Sequence, residues 1–247
     1  MNAFSLKDKT ILITGSSGKL GQDLSKRIIK NGGDVIGVDK VKSDLDKFLE
    51  LDFTKISEFV KIAEYLEEKK IEVDGLVLAH QAKPEGFLKN SIENFDYELW
   101  KEILSVNLDA TFFIIQELLK SKMNKNLSSI VLCGSTYANV SSNPALYKEN
   151  ELGNPIAYSA SKGGIVSLTR YLSVHLAKKD IRVNCISPHG IENNQSDNFQ
   201  KKFSELSPIS RLSRVEETSY PIIFLLSEAS SYITGSNLIV DGGWTSW

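Results

Sequence analysis

Short runs of apolar, often β-branched residues alternate along the chain with longer amphipathic stretches. The short runs predict strands, because a strand covered on both faces of a sheet is almost continuously apolar. The longer stretches carry their apolar residues at helical spacing and predict helices. The predicted strands are Thr10–Thr14, Asp34–Val38, Gly75–Ala79, Ser129–Cys133, Arg182–Ile186 and Asn237–Val240. The predicted helices are Gly21–Asn31, Ile56–Lys69, Tyr97–Met123, Ala157–Lys178 and Tyr220–Leu226.

This alternation predicts an α/β fold with a mostly parallel sheet, because right-handed crossovers place helices on both of its faces. The pattern fills all 247 residues without a linker, which predicts a single domain. Two long polar segments interrupt it, at about 138–155 and 191–214. Such segments are either lids and binding loops or mobile surface. In the second segment, Phe199, Phe203 and Leu206 lie on one helix face, which predicts either a lid helix or a plain surface helix.

Composition narrows the class of protein. Charged residues make up 24% of the chain and apolar residues 41%, which is typical of a globular protein and excludes wholesale disorder. The formal charge of −2 leaves no basic surplus for a nucleic-acid partner. No apolar run has the ~20 residues that cross a bilayer, and the first residues do not resemble a signal peptide, so we expect a cytoplasmic protein without a membrane partner. Cys133 and Cys185 are then expected to be buried free thiols, and a structural zinc site is not expected.

The first predicted strand runs directly into Thr14-Gly15-Ser16-Ser17-Gly18-Lys19-Leu20-Gly21, which opens the first helix. Gly15 permits a tight turn, Gly18 lets the backbone approach a pyrophosphate, and Gly21 permits close packing of the helix on the strand. Free N–H groups at the helix N-terminus favour an anion there. The alternative is an ordinary glycine-rich turn. The strand before it, the helix after it and a carboxylate at the end of the second strand together favour a nucleotide site.

That carboxylate is Asp39, which can accept hydrogen bonds from both ribose hydroxyls of an adenosine. It would repel a 2′-phosphate, which favours NAD as cofactor over NADP. Lys40 and Lys19 could each pair with such a phosphate, which leaves NADP as the alternative, unless both are solvated surface charges. Asp52 follows a further short apolar stretch and either meets the adenine or caps the helix that begins near Ile56.

Tyr158 and Lys162 stand four residues apart, which places both on one face of a helix. A nearby ammonium stabilises a phenolate, so the pair suits proton transfer to or from a carbinol oxygen; the alternative is an exposed pair of no consequence. Ser135 follows the fourth strand at the edge where ligands of such sheets bind, so it could hydrogen-bond the reacting oxygen. Asn107 lies beside an apolar helix stripe, where it is either a satisfied core amide or the anchor of a water that leads to the lysine.

Taken together, these residues resemble the short-chain dehydrogenase/reductase family over essentially the whole chain. The resemblance also includes Ser187-Pro188-His189-Gly190 after the fifth strand and Val240-Asp241-Gly242-Gly243 near the end. It implies a Rossmann-type doubly wound sheet and hydride exchange between a nicotinamide cofactor, NAD or NADP, and a carbinol or carbonyl of a small-molecule substrate. It also implies a homotetramer or homodimer, with the tyrosine-bearing helix in an interface.

The resemblance assigns a role to each catalytic candidate. Tyr158 is implied as the acid and base, and Ser135 as the partner of the substrate oxygen. Lys162 is implied to hold the nicotinamide ribose, and Asn107 to anchor a proton-relay water. The implied cofactor-binding residues are Gly15, Ser17, Gly18, Lys19, Leu20, Gly21, Asp39, Asp52, Phe53, Ala79, His80, Lys162, Pro188, Gly190 and Ile191.

The sequence departs from the family pattern in four places. The middle glycine of the turn, Gly18, comes one position early, as in the extended branch that acts on sugar nucleotides. Ala79-His80-Gln81-Ala82 replaces the usual Asn-Asn-Ala-Gly, and His80 is either a structural histidine that satisfies loop carbonyls or a group near the cofactor. An insertion at Asn139–Pro155 reaches the substrate side, and His189 replaces a commoner glycine and shapes its turn. The polar residues of the insertion are Tyr147, Lys148, Glu149, Asn150 and Glu151.

We interpret the polar insertion as a wall for a polar substrate. The combination looks like short-chain members of bacterial surface-sugar and flagellin-glycan biosynthesis, which predicts an oxidoreductase with a polar, sugar-related substrate. One alternative is a nucleotide-sugar epimerase or dehydratase, but about sixty residues after Arg182–Ile186 leave little room for its substrate domain. The other is a cofactor-binding protein without catalysis, against which the full set of catalytic candidates argues.

Overall fold

The computed structural model of this chain describes residues 2–87, 91–144, 146 and 156–247. Its strands are β1 (Thr10–Thr14), β2 (Asp34–Asp39), β3 (Phe48–Glu50), β4 (Gly75–Leu78), β5 (Ser129–Cys133), β6 (Arg182–Pro188) and β7 (Asn237–Val240). Its α-helices are α1 (Lys19–Lys30), α2 (Val60–Lys69), α3 (Tyr97–Leu104), α4 (Ala110–Lys120), α5 (Ile156–Leu176), α6 (Asp197–Leu206) and α7 (Glu216–Leu226). A π-helical turn at Ser105–Asp109 joins α3 to α4.

The strands of the described residues form one parallel sheet in the order β3-β2-β1-β4-β5-β6-β7. Strand β1 pairs with both β2 and β4, so the strand order changes direction at β1. Thr14, the last residue of β1, is in register with Val38 and Leu78, so the carboxyl ends of three central strands lie level. This doubly wound, Rossmann-type arrangement confirms the predicted fold class, and it places a ligand crevice outside these strand ends.

Alternate residues of the central strands enter two separate hydrophobic cores, one on each face of the sheet. Leu12 and Ile36 pack with residues of α2 to α5, whereas Ile11, Ile13 and Val35 pack with residues of α1 and α7. Because successive side chains of a strand point to opposite faces, a strand covered on both sides must be apolar at every position. This is the physical reason for the unbroken apolar runs in the sequence.

The predicted strands are all present, but several bounds differ. Strand β3 was not predicted, because the short apolar stretch before Asp52 places only two apolar residues, Phe48 and Leu49, in the strand, at a partly exposed sheet edge. The long helical region predicted from about Tyr97 to Met123 is present, but it is divided into α3, the π-helical turn, α4 and a 3₁₀ turn at Lys122–Asn124. Helix α7 begins four residues before the predicted Tyr220, because Glu216 and Glu217 form a polar first turn that lacks the apolar spacing.

The two long polar segments differ in what the structure describes. Helix α6 lies within 191–214, as predicted, and its Phe203 is only 2% exposed and packs with Leu212 and Trp244. This helix is therefore anchored by its inner face. In the segment 138–155, residues 145 and 147–155 lie outside the described residues, so the predicted substrate wall there stays a prediction.

Both cysteines are buried free thiols, as predicted. Across 2–87, 91–144, 146 and 156–247, no helix is long and apolar enough to cross a membrane. The same described ranges contain no group of three His, Cys, Asp or Glu side chains that could hold a metal ion.

Candidate functional site

A cleft of about 650 Å³ opens at the carboxyl ends of the central strands and is lined by the glycine-rich turn and by α6. Every residue predicted to bind the cofactor lines it, from Gly15 in the turn to Ile191 after β6. Tyr158, Ser135 and Lys162 line it as well. The fold therefore brings together the predicted cofactor-binding residues and three of the predicted catalytic residues, which are far apart in the sequence.

The glycine-rich turn has little room for side chains at two of its glycines. Gly15 has φ +71°, and a Cβ added there would lie 2.7 Å from the backbone of Ala79 and His80. A Cβ at Gly21 would lie 2.2 Å from the carbonyl oxygen of Gly15, so Gly21 packs on the turn itself rather than on the strand as predicted. At Gly18 a Cβ would meet only that same oxygen, at 3.3 Å, so the backbone is open to a ligand there.

Helix α1 begins at Lys19 without a capping side chain. Gly18 precedes it and offers no side-chain hydrogen bond, and the first turn contains no acidic residue. The first N–H groups of the helix therefore have no partner from a cap, and the helix dipole adds positive potential there. With the open backbone at Gly18, this is a cradle that fits the pyrophosphate of a dinucleotide.

Asp39 lies at the end of β2 and ties the glycine-rich turn to the next loop. Its carboxylate accepts hydrogen bonds from the backbone N–H groups of Ser17, at 3.0 Å, and Val41, at 3.1 Å. A carboxylate can accept about four hydrogen bonds, so both oxygens keep capacity for ribose hydroxyls. Lys40 lines the cleft beside it, whereas Lys19 donates to the backbone carbonyl of Glu192.

Asp52 also lines the cleft. Its Oδ1 accepts hydrogen bonds from the N–H group of Thr54, at 3.0 Å, and from the Thr54 hydroxyl, at 2.8 Å. The backbone hydrogen bond from Thr54 is the main cause that lowers the pKa of Asp52. The following 3₁₀ turn starts after Lys55 with no side-chain cap, so the alternative that Asp52 caps this helix is wrong.

His80 is buried between two hydroxyl groups. Its Nδ1 lies 2.6 Å from Oγ1 of Thr14, its Nε2 lies 3.5 Å from Oγ1 of Thr111, and its ring stacks on Phe53 with the centroids 4.5 Å apart. Burial, and then the charge of Lys162, lower the pKa of His80 to about 3, so the ring is neutral. The geometry matches the structural alternative: besides the two hydroxyls, a backbone hydrogen bond with Val106 acts on the ring and opposes the lowering of its pKa.

Tyr158 and Lys162 share one face of α5, but they are not an exposed pair. Lys162 is 3% exposed, and its Nζ donates to the carbonyl oxygen of Cys133 at 2.6 Å. The same Nζ lies 5.5 Å from the centroid of the Tyr158 ring. Burial lowers the pKa of Lys162. The Tyr158 ring is half-buried in the cleft and meets the Phe87 ring edge-on, with the centroids 5.9 Å apart.

Ser135 follows β5 and is buried at the floor of the cleft. Its Oγ accepts a hydrogen bond from the N–H group of Tyr137 at 3.2 Å, which begins a short 3₁₀ turn. A hydroxyl that accepts one hydrogen bond can still donate its own proton. The side chain of Ser135 can therefore hold an oxygen of a ligand.

Asn107 is the one predicted site residue that does not line the cleft. It lies in the π-helical turn, where its Oδ1 accepts from the N–H group of Ala82 at 2.8 Å and its Nδ2 donates to Oγ of Ser161 at 3.1 Å. It is thus a satisfied core amide that ties the loop after β4 to α5. Its role in a water relay stays a prediction.

Several residues that line the cleft were not singled out in the sequence. These are Val41, Thr54, Lys83, Pro84, Glu102, Val106, Tyr137, Asn193 and Gln195. Tyr137 stands two positions after Ser135, so its place beyond the same strand end could have been inferred. The others come from loops and helix ends whose positions depend on long-range packing.

The comparisons with known proteins agree with this geometry. The family model described as Enoyl-(Acyl carrier protein) reductase matches residues 37–245. A 3-oxoacyl-(acyl-carrier-protein) reductase of Buchnera aphidicola subsp. Schizaphis graminum is 30% identical, with 96% of this chain and 98% of that protein covered. A post-translational flagellin modification protein A of Campylobacter coli is 26% identical, with 97% and 99% covered. An NAD-dependent glycerol dehydrogenase of Listeria innocua serovar 6a is 28% identical, with 98% and 96% covered.

A solved structure of a short chain dehydrogenase is also similar to this chain. The crystal structure of a short chain dehydrogenase from Leptospira borgpetersenii serovar Hardjo-bovis with bound NAD+ matches with a TM-score of 0.88 and 31% sequence identity. The match covers 98% of this chain and 95% of that chain.

Proposed function

Since this chain belongs to the short-chain dehydrogenase/reductase family and is an NAD(P)-dependent oxidoreductase, we propose that Tyr158 is its acid and base and that its substrate is a polar, sugar-related carbinol or carbonyl compound. The nicotinamide cofactor supplies the hydride acceptor or donor when bound. In the direction of oxidation, the oxygen of Tyr158 takes the proton of the carbinol hydroxyl while the carbinol carbon loses its hydride. In reduction the same oxygen returns the proton.

The observation that carries this proposal is the buried Lys162 beside Tyr158. A positive charge 5.5 Å from the ring centroid favours the phenolate form of Tyr158, which can then act as a base near neutral pH. One proton of Nζ is donated to the carbonyl oxygen of Cys133. An ammonium has three donors, so two are left for the hydroxyls of the nicotinamide ribose.

Ser135 and Asn107 support the proton transfer in this proposal. The hydroxyl of Ser135 donates to the oxygen of the substrate and orients it toward Tyr158. Asn107 anchors a relay water behind Lys162, which is supported by its hydrogen bond to Ser161, the neighbour of that lysine.

We further propose NAD as the preferred cofactor. The cradle at Gly18 and the N-terminus of α1 suit the pyrophosphate of either dinucleotide. The Asp39 carboxylate favours a free 2′-hydroxyl, because a 2′-phosphate would bring a second negative charge beside it. Lys40 and Lys19 both line the cleft and are the cations that could offset this repulsion in NADP, although one donor of Lys19 is already used by the carbonyl of Glu192.

A polar substrate is supported by the residues of the cleft on the side of α6. Tyr137, His189, Asn193 and Gln195 all line it and offer hydrogen-bonding groups. Among the relatives, one is named as a glycerol dehydrogenase and another as a flagellin modification protein. This supports an oxidoreductase with a hydroxylated substrate over an epimerase and over a protein without catalysis.

We also propose that the enzyme is a homodimer or homotetramer of the cytoplasm. Tyr171 and Val174 of α5 are 60% and 71% exposed, and they form an apolar strip on the helix that bears Tyr158. Burial of this strip against a second copy would remove apolar surface from water. The cytoplasmic location is supported by the two buried free thiols, because free thiols are typical of a reducing compartment. Light scattering after size-exclusion chromatography measures the mass of the assembly directly.

A substrate screen tests the proposed function. Reduction of NAD+ and of NADP+ is followed at 340 nm with sugars, sugar acids, nucleotide sugars, small polyols and small alcohols as hydride donors, and the reverse reaction with the matching ketones. We expect turnover with hydroxylated compounds and a higher kcat/KM with NAD+. Turnover with apolar alcohols or acyl thioesters alone would contradict the proposed substrate class.

A further inference from the structure

His189 stands where the family pattern has a commoner glycine, and it lines the cleft on the side of α6. Its Nδ1 lies 2.7 Å from Oγ1 of Thr136, the residue that follows Ser135. Among the described residues, three aromatic rings surround the imidazole, with their centroids 4.2 to 5.6 Å from its own. They belong to Tyr137, to Phe203 of α6 and to Trp244.

The hydrogen bond to Thr136 determines which nitrogen of His189 carries the proton. The Thr136 side chain is fully buried, and its hydroxyl has no second hydrogen-bond partner in the described part of the chain. If Nδ1 were the donor, the hydroxyl proton would be buried without an acceptor, at a free-energy cost of roughly 1–3 kcal/mol. The favourable arrangement has the hydroxyl donate to Nδ1, which leaves the ring proton on Nε2.

That Nε2–H group is buried and has no hydrogen-bond partner among residues 2–87, 91–144, 146 and 156–247. Such unsatisfied groups are rare in folded proteins, and a ligand is one of the few things that explains them. His189 and Phe203 line both the main cleft and a second cavity of about 130 Å³ behind it. The two rings therefore lie where the cavities adjoin, and the proposal requires the Phe203 ring to turn aside so that a ligand in the main cleft reaches Nε2.

We propose that His189 is a specificity-determining residue, whose Nε2–H group donates a hydrogen bond to a second hydroxyl of a polyhydroxylated substrate. This inference rests on the proposed function and names its substrate class more closely. Thr136 fixes the direction of the imidazole, so the hydroxyl that Nε2 recognises is held at a set distance from the carbinol oxygen at Ser135. A substrate with one hydroxyl leaves the buried donor unpaired and is rejected for that reason.

The preference is for a neutral oxygen rather than for an anion. Burial lowers the pKa of His189 to about 4, so the ring is uncharged at neutral pH. Asp241 is the charged group that opposes this shift, and its carboxylate is held by the N–H groups of Gly243 and Thr245. A neutral donor next to a carboxylate favours a hydroxyl over a carboxylate or phosphate of the substrate.

Two substitutions of His189 test the roles of Nδ1 and Nε2 separately. His189→Asn keeps an acceptor near the position of Nδ1 for Thr136 and has no group at the position of Nε2. His189→Gln places an amide nitrogen near Nε2 and loses the bond to Thr136. The substrates are propan-2-ol, propane-1,2-diol, glycerol and meso-erythritol, which offer the same kind of carbinol with an increasing number of further hydroxyls. Turnover is measured as kcat/KM, and binding by saturation-transfer NMR on the NAD+-loaded protein.

We expect the wild-type protein to favour the diol and larger polyols over propan-2-ol in both measurements. His189→Asn should reduce the ratio of kcat/KM for glycerol to that for propan-2-ol by roughly 5- to 150-fold, the loss of one buried hydrogen bond. His189→Gln should retain most of this ratio. If His189 had a purely structural role, its replacement would lower kcat/KM by the same factor for all four substrates. His189→Gln and His189→Asn would then reduce activity equally.

The absence of any preference for polyols in wild-type turnover and binding would overturn the proposal. An unchanged substrate ratio in His189→Asn would overturn it as well. If the proposed hydride transfer itself fails, the result differs: no carbinol of any class is oxidised by the NAD+-loaded protein, while the binding preference measured by NMR still tests His189.

Discussion

Oγ1 of Thr14 lies 2.6 Å from Nδ1 of His80, and this contact joins the end of β1 to the loop after β4. Both side chains are buried, and Phe53 covers the imidazole. The hydrogen bond lies directly beneath the glycine-rich turn, where an added Cβ on Gly15 would touch the backbone of His80. The floor of the cofactor cradle is therefore held by a histidine that must stay neutral.

The neutral His80 makes stability depend on pH. The pKa of His80 falls from 6.5 to about 3 on folding, chiefly because the ring is buried. Above pH 6.5 neither state binds the proton, so the free energy of unfolding is unaffected; below it the unfolded state alone is protonated, and stability falls by up to about 1.4 kcal/mol per pH unit. Urea unfolding between pH 7 and pH 5 measures this slope.

The matched variants for this prediction are His80→Asn and His175→Asn. We expect His80→Asn to reduce the slope between pH 7 and pH 5 by roughly half, whatever its effect at pH 7, because burial also lowers the pKa of His189 and that ring contributes a slope of the same sign. His175 is exposed, so its replacement should leave the slope as it is in the wild type. An unchanged slope in His80→Asn would show that the buried ring is not the group responsible.

Replacement of Tyr158 tests the acid–base assignment. Tyr158→Phe removes one oxygen and keeps the ring contact with Phe87, so NAD+ binding should persist. We expect kcat to fall by roughly 10²- to 10⁴-fold, since no group is left to exchange the proton. Tyr232→Phe is the control, because this tyrosine is exposed and lies outside the cleft. Steady-state turnover and cofactor titration by fluorescence provide both readouts, and retained turnover in Tyr158→Phe would refute the assignment.

Cofactor preference should depend on the charge of Asp39. Asp39→Asn removes the negative charge that opposes a 2′-phosphate, so the ratio of kcat/KM for NAD+ to that for NADP+ should fall by about tenfold or more. The control is Asp34→Asn at the other end of β2, where the carboxylate pairs with Lys47. If the ratio of kcat/KM for NAD+ to that for NADP+ were the same in Asp39→Asn and Asp34→Asn, Asp39 would not contribute to the discrimination between the two cofactors.

The two thiols should be inert in the folded enzyme. Burial raises the pKa of Cys133 to about 12 and also raises that of Cys185, so almost no thiolate exists at pH 8. We expect Ellman's reagent to react with neither thiol in the native state and with both after unfolding. Ser231→Cys adds a thiol at an exposed position and should react within the mixing time. Rapid reaction of a native thiol in the wild type would contradict this burial.

Much of the fold could be predicted from local pattern alone. The run Thr10–Thr14 predicts a strand because burial on both faces requires apolar side chains at every position, and neighbouring residues are enough to show it. The Tyr158 and Lys162 pair could likewise be placed on one helix face from its spacing. Strand β3 could not be predicted in this way, because its three edge residues are partly exposed and need not all be apolar. The π-helical turn of Ser105–Asp109 has no periodic signature either.

The alternation of strands and helices apart from β3, the glycine-rich turn and the identity of the candidate catalytic residues could be inferred from the amino-acid sequence, because each depends on residues that are close in the chain. The contacts of those side chains follow from the folded chain. Folding buried Lys162 against the carbonyl of Cys133, and it paired His189 with Thr136, a residue 53 positions away. Contacts of this kind depend on how whole strands and helices pack, and that packing is a property of the complete fold rather than of any local stretch.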